Sequence, residues 1–315
     1  MRIMVKTISN KCFDIDLITE LCFTQTVGVA CDSLWFKFRK KADVEEIETV
    51  KAYNGESLIF NGICDCQKIY HNKDGFECYV FARSTAALLV DNEAEPFTYN
   101  CPTAKGLCFS LAKDLGFKDA LPDISSNDKY EVAKGTSLYG AIRQFVLLKT
   151  GRMIYVSPDN EIRCFEKSDE VKSLNTYRIL SLTSIINRGE PVSKIVFKKS
   201  NSQSGYCLNM TAKVSNDLKI NRVQYINLLS LPMWQREYAV LQKLKSSYDN
   251  YKVLEIVAAG YVDDSLYSRF DCELDRIIYN DYFLTEKKYI CDSKGERTAL
   301  VLKKQMDIKE VTYVV

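Results

Sequence analysis

The sequence predicts an α+β fold that is mainly β, in which two blocks of strands flank a small α+β unit. Three observations support this class. Apolar and polar residues alternate through residues 1–97, the apolar period becomes helical within 98–172, and strand-like segments return in 173–315. We therefore expect three domains with these boundaries, the third interrupted by a helix at about 232–248.

The first block contains strands separated by turn residues. Leu34, Phe36 and Phe38 alternate with polar or mixed neighbours in Asp32–Lys40, as in a strand with one buried face. The remaining elements predicted for this block are a strand over Glu45–Tyr53, a turn at Asn54–Gly55, a strand over Ser57–Phe60, a break at Asn61–Gly62, and a hairpin over Gln67–Ala82 with its tip at Asn72–Gly75.

The middle of the chain shows helical spacing of apolar residues, with capping residues at the ends of each segment. Leu107, Leu111 and Leu115 recur every four residues. The predicted elements are a helix over Thr103–Leu115 with Thr103 as N-cap and Gly116 at its end, a helix over Ser137–Lys149 with Thr136 as its cap and Gly151 at its end, and a hairpin over Met153–Phe165.

The last block returns to strands around one helix. Pro232 suits the first turn of this helix, which we place at Pro232–Tyr248. Its predicted buried stripe consists of Trp234, Tyr238, Leu241, and Leu244 or Tyr248. The predicted strands are Lys194–Phe197, Tyr206–Val214, Val223–Leu228, Val253–Val262, a long segment around Ile277–Leu284, and a closing hairpin across Ser293–Gly295.

Charge and hydropathy exclude some partners and leave others open. The formal net charge of +2 is too small to predict sequence-specific binding of nucleic acid, although it leaves open contact with DNA that passes by. The charged start of the chain lacks the apolar run of an export signal, and no apolar stretch approaches the roughly 20 residues of a membrane span. We expect the chain to be made in the cytoplasm.

The twelve cysteines are scattered through apolar segments, and we expect most of them to be reduced, buried thiols. Cys64-Asp65-Cys66 is the one close pair. Its two thiols would share one face of a strand, but no second pair and no histidine completes a zinc site. We therefore predict no metal and no cofactor.

Candidate catalytic residues are few. His71 is the single histidine, and its position beside a predicted hairpin tip is too solvated to hold a preorganised base. The acidic segment Asp91–Glu95 could supply paired carboxylates, but a solvated connection after the first β block is the simpler interpretation. Asp263-Asp264 and Asp271 are interpreted as loop and edge charges. We predict no catalytic residue and no enzymatic activity.

The order of elements resembles the late control protein D family of phage tails, especially the tail hub proteins of phage-tail-like bacteriocin particles. The residues that carry the resemblance are Asp32–Leu34, Ile59–Gly62 and Ala82–Pro96, followed by the elements from Gly135 to Phe165. In that family a strand pair ends in an Arg-containing turn and an apolar segment that runs into Asp-Asn-Glu, here Asp91-Asn92-Glu93. The C-terminal half matches more loosely.

The resemblance implies a structural baseplate hub with two tube-like β-barrel domains in each chain. Three chains would form a homotrimeric ring that fits the sixfold tail tube on one side and the threefold spike on the other. The implied partners are the tail tube protein or tube initiator, the spike protein and other baseplate proteins, with the tape measure protein as a further open contact. The implied location is the baseplate of a virion or a tail-like particle released by lysis.

Two other functions stay open at this point. The chain could be a tail-associated cell-wall hydrolase that uses Asp91 and Glu93, although we expect it to carry no attached lysozyme or peptidase domain. It could also be a tail module that binds a host glycan. The heavy use of tyrosine, 19 residues in all, suits protein interfaces and favours the structural interpretation.

Overall fold

A computed structural model describes residues 1–40, 44–73, 75–166, 168–202, 205–230, 233–274, 277–306 and 311–313. The chain is a mainly β protein of the α+β class, which confirms the predicted fold class. It forms two compact units: unit 1 consists of Met1–Ser168, Ala258–Tyr267 and Glu286–Ala299, and unit 2 consists of Asp169–Val257, Ser268–Thr285 and Leu300–Val315. The division into three domains stays a prediction.

The strands of the described residues are, in chain order, β1 (Arg2–Thr7), β2 (Cys12–Asp14), β3 (Ile18–Thr26), β4 (Ser33–Lys40), β5 (Ile47–Asn54), β6 (Ser57–Asn72), β7 (Gly75–Ser84), β8 (Phe97–Tyr99), β9 (Lys118–Asp119), β10 (Tyr130–Val132), β11 (Ile154–Val156), β12 (Glu161–Cys164), β13 (Val171–Ser173), β14 (Ile179–Ile186), β15 (Lys194–Lys198), β16 (Tyr206–Ala212), β17 (Val223–Ile226), β18 (Lys252–Ala259), β19 (Arg269–Leu274), β20 (Ile277–Asp292), β21 (Gly295–Lys304) and β22 (Val311–Tyr313). The helices are α1 (Ala87–Asp91), α2 (Ala104–Ala112), α3 (Leu138–Thr150), α4 (Val214–Asp217) and α5 (Met233–Ser246), with 3₁₀ turns at Lys113–Leu115 and Leu174–Thr176.

Unit 1 is built on an antiparallel sheet. The second half of β20 pairs with β3, and the order continues through β4, β7, β6, β5, β1 and β2. Alternation along β4 buries Leu34, Phe36 and Phe38, as predicted, and these side chains join a core with Phe23 and Phe60 from neighbouring strands. The period-2 pattern therefore fixes which face of this sheet is buried.

The predicted break at Asn61–Gly62 is wrong, because β6 runs through both residues without interruption. Gly62 lies at a close approach of two strands. A Cβ atom at this position would collide with the main-chain oxygen of Arg83 and with the ring of Phe60. This glycine is required by close packing inside a strand rather than by a turn.

A second core in unit 1 joins helices α2 and α3 to the short strands around them. Thr103 caps α2 by accepting a hydrogen bond from the Gly106 nitrogen, as predicted, and Gly116 adopts a left-handed conformation after the 3₁₀ turn that follows the helix. The predicted cap of α3 is wrong by one residue: the cap is Ser137, which accepts from the Gly140 nitrogen, and not Thr136. Gly151 ends α3, as predicted.

In unit 2, β17, β15, β16 and β22 form a four-stranded sheet. Helix α5 packs on this sheet through Val240 and Leu244, which are buried with the side chains of β15 and β16. Tyr248, two residues after the helix, joins the same core. Of the predicted stripe, Tyr238 and Leu241 are half-buried, while Pro232 and the Trp234 side chain lie outside the described residues. None of the described helices combines the length and the apolar character needed to traverse a bilayer.

Candidate functional site

His71 lies near the tip of the β6–β7 hairpin and is exposed to solvent. Its ring stacks on that of Phe76 from the opposite strand, with ring centroids 4.7 Å apart and an interplanar angle of 11°. The two residues are also direct partners in the strand register. The imidazole therefore takes part in a cross-strand aromatic contact that supports the end of the hairpin.

The carboxylate of Asp91 is bound by the guanidinium of Arg83. Arg83 Nη1 and Nη2 lie 3.0 and 2.7 Å from the two oxygens of Asp91, and Nη2 also lies 3.1 Å from Asp65 Oδ1. Arg83 Nε donates to the other oxygen of Asp65. We call Asp65, Arg83 and Asp91 the Arg83 cluster. It joins β6 and β7 to the end of α1 through one planar cation and two bidentate carboxylates.

A strand irregularity places Asp65 within reach of Arg83. Cys64 pairs with Ala82 and Cys66 pairs with Phe81, so Asp65 is an extra residue in β6. The ion pairs raise the pKa of Arg83 above its ordinary value and lower the pKa of Asp91. Both pKa shifts have the same cause: the hydrogen bonds and the electrostatic attraction between Arg83 and its carboxylates favour the charged form of each group.

Glu93 belongs to the same acidic segment and also has a structural contact. Its Oε1 accepts a hydrogen bond from the Gly135 nitrogen at 2.5 Å. Main-chain bonds from Ala94 to Thr136 and from Leu138 to Asn92 tie the segment to the start of α3. Asp91 and Glu93 are the two carboxylates considered for hydrolysis. Each instead makes a structural contact, Asp91 with Arg83 of β7 and Glu93 with the main chain just before α3.

The interpretation of Asp264 as an exposed loop charge is wrong. Asp264 is buried, with 7% of its surface exposed, while its neighbour Asp263 is exposed. Asp264 lies beside Lys287 of β20, which is itself only 4% exposed. The Nζ of Lys287 donates to the main-chain oxygen of Asp264 at 3.0 Å and approaches the hydroxyl of Tyr261 at 3.5 Å.

Asp32 completes this second group of charges in unit 1. Its Oδ2 accepts from Gln25 Nε2 at 2.9 Å, and its main chain exchanges hydrogen bonds with Ser84. We call Asp32, Tyr261, Asp263, Asp264 and Lys287 the Lys287 cluster. Its members come from three distant parts of the chain, where β3 turns into β4, from the segment after β18, and from β20.

Burial dominates the ionisation of the Lys287 cluster. Withdrawal from water raises the pKa of Asp32 to about 6, against the opposing effects of Gln25 and of the Lys287 charge. Withdrawal from water likewise lowers the pKa of Lys287, although Asp263, Asp32 and Asp264 all favour its charged form. The charges of three carboxylates act on one ammonium, so this part of unit 1 carries excess negative charge when all are ionised.

One sequence signal could have revealed Lys287. It stands two residues before Tyr289, in phase with it along a strand, and Tyr289 is buried. A lysine in the buried phase of a strand requires a polar partner. The partner could not be read from the sequence, because Asp32 and Lys287 lie at opposite ends of it.

The expectation that most of the twelve cysteines are buried is wrong. All twelve are free thiols, but five are buried, four are half-buried, and Cys12, Cys101 and Cys207 are exposed. Cys64 and Cys66 are half-buried on either side of the extra residue in β6. Within the described ranges, no group of three or more His, Cys, Asp or Glu side chains is arranged to hold a metal ion.

Strand β14 of unit 2 is the most unusual surface of the chain, and the sequence analysis missed it. Five of its eight residues are isoleucine or leucine, yet none of the eight is buried. Leu180 and Ile186 are 52% and 61% exposed. Among the described strands, β14 pairs with β18 on one side, so its other edge is open. The run Ile179–Ile186 is the signal that could have identified it.

An open apolar edge is a feature that soluble proteins normally cover. The backbone N–H and C=O groups along such an edge can extend a sheet by pairing with a strand of another chain. A partner that also packs on a face of β14 would remove its isoleucine and leucine side chains from water. β14 therefore combines an edge open to further pairing with exposed apolar side chains.

No protein-family model matches the sequence, and no curated protein matches it. Solved structures do match in fold. The tail protein from Neisseria meningitidis MC58 aligns with a TM-score of 0.78 at 16% identity, covering 96% of this chain and 96% of that one. The 43 kDa tail protein of prophage MuSo2 from Shewanella oneidensis aligns with a TM-score of 0.80 at 11% identity, covering 97% of this chain and 99% of that one.

A third match links the fold to secretion systems. The Escherichia coli c3393 protein, a component of the type VI secretion system with structural similarity to the T4 bacteriophage tail proteins gp27 and gp5, aligns with a TM-score of 0.57 at 8% identity. The alignment covers 95% of this chain and 76% of that one. The chain therefore has the fold of phage tail proteins, which confirms the resemblance found in the sequence at the level of the fold.

Proposed function

We propose that the chain is a structural hub subunit in the baseplate of a contractile phage tail or a tail-like bacteriocin particle. Three copies form a ring that joins the sixfold tail tube to the threefold spike. The fold shared with tail proteins supports a role in the tail, and the open apolar edge of β14 is the observation that supports assembly. The subunit acts by binding its neighbours, without a catalytic residue, a metal or a cofactor.

The symmetry of the particle requires two similar domains in each subunit. A threefold object docked on a sixfold tube needs two similar faces in each chain, because closed rings are built from equivalent interfaces. In the proposal, the strands before residue 97 and those after residue 172 supply two tube-like barrels, with the α+β segment between them.

The partners follow from this position in the particle. The tube protein or tube initiator contacts one side of the ring, and the spike protein contacts the other. Other baseplate proteins and the tape measure protein are further neighbours. The chain is made in the bacterial cytoplasm, joins the baseplate there, and leaves the cell with the particle on lysis.

The proposal predicts a homotrimer. Three chains of 36.1 kDa give a particle of about 108 kDa, alone at high concentration or together with the spike protein. Replacing both Leu180 and Ile186 with lysine should abolish the trimer, because two charges would be desolvated on the edge that pairs. Light scattering coupled to gel filtration measures the mass of both proteins.

The control is Ile8→Lys, which changes an isoleucine of similar exposure, 60% against 61% for Ile186, outside β14. This variant should still form the trimer. A monomer at all concentrations, with and without the spike protein, would contradict the proposed ring. A trimer that persists in the Leu180→Lys/Ile186→Lys variant would contradict the role of β14 but not the ring.

A further inference from the structure

A cavity of about 380 Å³ lies within unit 1. Its walls come from the turn between β3 and β4, the hairpin of β11 and β12, the loop after β9 and residues 265–266. The hairpin is fixed against the β6–β7 side of the sheet, since Asn61 Nδ2 donates to the Pro158 oxygen at 3.1 Å and Thr85 Oγ1 donates to Asn160 Oδ1 at 2.7 Å. The cavity thus has one wall that is hydrogen-bonded to the sheet, and it has the size of a small-ligand site.

The polar wall of the cavity is negative. Asp32 lines it together with Gln25, which donates to the Asp32 carboxylate. Asp32 is also a member of the Lys287 cluster, in which three carboxylates face one ammonium. The ammonium of Lys287 is directed to the Asp264 main-chain oxygen and the Tyr261 hydroxyl. Asp32 therefore presents to the cavity a carboxylate that is incompletely neutralised.

Part of the lining is aromatic. Tyr155 and Phe165 both line the cavity, and their rings stack on each other, with centroids 4.5 Å apart and an interplanar angle of 28°. Arg163 also lines the cavity, but its Nε donates to Glu161 Oε2 at 2.9 Å, so this cation already has a carboxylate partner. The faces of aromatic rings attract cations, and an acidic group in the same cavity adds to that attraction.

We propose that this cavity binds an alkylammonium group, with the ammonium at Asp32 and the alkyl chain against Tyr155 and Phe165. Two sources carry this chemistry: the lysine side chain of a protein neighbour and a free aliphatic diamine. A guest of either kind needs a carboxylate for its charge and an apolar wall for its methylene groups, and the cavity supplies both.

Ligand-observed NMR titrations of the full chain test this site with three probes. Nα-acetyl-lysine methylamide represents a lysine side chain, putrescine represents a free diamine, and Nα-acetyl-norleucine methylamide is the uncharged match of the first. We expect the lysine derivative or putrescine to bind about tenfold more tightly than the norleucine derivative. Binding of the lysine derivative identifies a protein neighbour as the source, and binding of putrescine alone identifies a free diamine.

Three variants locate the bound ligand. Asp32→Asn should weaken binding about tenfold, while Asp263→Asn, which removes a nearby charge that does not line the cavity, should change it less than about twofold. Ala120→Trp should abolish binding with Asp32 intact, because the exposed Ala120 lines the cavity and an indole there would fill it. Thermal unfolding verifies that each variant is folded.

The proposal is overturned if neither cation binds, if the norleucine derivative binds equally well, or if Asp32→Asn and Asp263→Asn have the same effect. A folded Ala120→Trp variant that still binds both cations would also overturn it, since the ligand would then occupy another place.

Discussion

The Arg83 cluster and the Lys287 cluster both place carboxylates around one basic side chain in unit 1, but they respond oppositely to their surroundings. In the Arg83 cluster, the pKa of the base is raised and that of Asp91 is lowered. In the Lys287 cluster, the pKa of the base is lowered and that of Asp32 is raised to about 6. Burial makes the difference. The side chain of Arg83 is 30% exposed to solvent, whereas the whole residue Lys287 is only 4% exposed.

The comparison shows that opposite charges in proximity stabilise a fold only where attraction exceeds the cost of removing them from water. Arg83 remains hydrated and makes two bidentate pairs, so each partner favours the charged form of the other. Lys287 is inside the protein, where the cost of dehydration exceeds the attraction of three carboxylates. Variants that remove one charge at a time can test this difference.

The largest effect is expected for Lys287→Met. The substitution removes the hydrogen bonds to Asp264 and Tyr261 and leaves the three carboxylates without their cation. Removing one partner of a buried ionic group typically costs 3–5 kcal/mol, and we expect a loss of about 3 kcal/mol in the free energy of unfolding. Urea denaturation at pH 7 measures it.

Lys288→Met is the matched control, because Lys288 is the next residue of β20 and is exposed. Its effect should stay within about 0.5 kcal/mol. A Lys287→Met variant as stable as the native chain would contradict the expected cost of leaving the buried carboxylates without a cation.

The second largest effect is an increase in stability. Asp32→Asn should raise the free energy of unfolding at pH 7 by about 1–2 kcal/mol, because it removes a carboxylate whose ionisation is disfavoured in the folded state. The raised pKa means that the folded state holds this proton more tightly than the unfolded state. The native chain therefore loses stability as pH rises from about 4 to about 6, and the variant should lack this part of the pH dependence.

Asp91→Asn is the comparison for this measurement. The pKa of Asp91 is lowered, so its ionised form stabilises the fold above its unfolded pKa, and the asparagine variant should be less stable than the native chain at pH 7. Urea denaturation of both variants at pH 4 and pH 7 measures the sign of each change in the free energy of unfolding. Two variants that shift stability in the same direction at pH 7 would contradict the contrast between the clusters.

The smallest effect is expected for Arg83→Lys. An ammonium keeps the charge but cannot form the two bidentate pairs with Asp65 and Asp91, so we expect a loss of about 1 kcal/mol in the free energy of unfolding. Arg163→Lys is the control, since Arg163 pairs with the single carboxylate of Glu161 on the surface. That change should cost less than about 0.5 kcal/mol by urea denaturation. Equal losses would contradict a special role for the two bidentate pairs.

The sequence predicted those features of the fold that depend on neighbours along the chain. The alternation in β4, the Thr103 cap and the left-handed glycines Gly116 and Gly151 are determined within a few residues, and each was found as predicted. The same local patterns gave the wrong answer at Gly62, where the constraint is the main chain of a neighbouring strand.

The candidate sites depend on contacts between distant segments and were predicted less well. Asp264 was interpreted from its hydrophilic surroundings, and its burial beside Lys287 follows from how β20 packs in unit 1. Strand β14 was missed because its Ile and Leu residues lack the alternation of a half-buried strand, since neither of its faces is buried. Local pattern cannot assign residues whose environment is set by partners far along the chain, or by other chains.

The exposure of β14 also has a consequence for when this part of the chain becomes ordered. Fixing the backbone of one residue costs roughly 1–2 kcal/mol of conformational entropy, and most strands recover it by burying side chains. None of the eight residues of β14 is fully buried, so their order depends largely on main-chain bonds to β18 along one edge. In a free subunit this strand would open more readily than the buried strands, and a neighbour that covers it would provide the missing burial. Assembly would then complete the folding of the subunit.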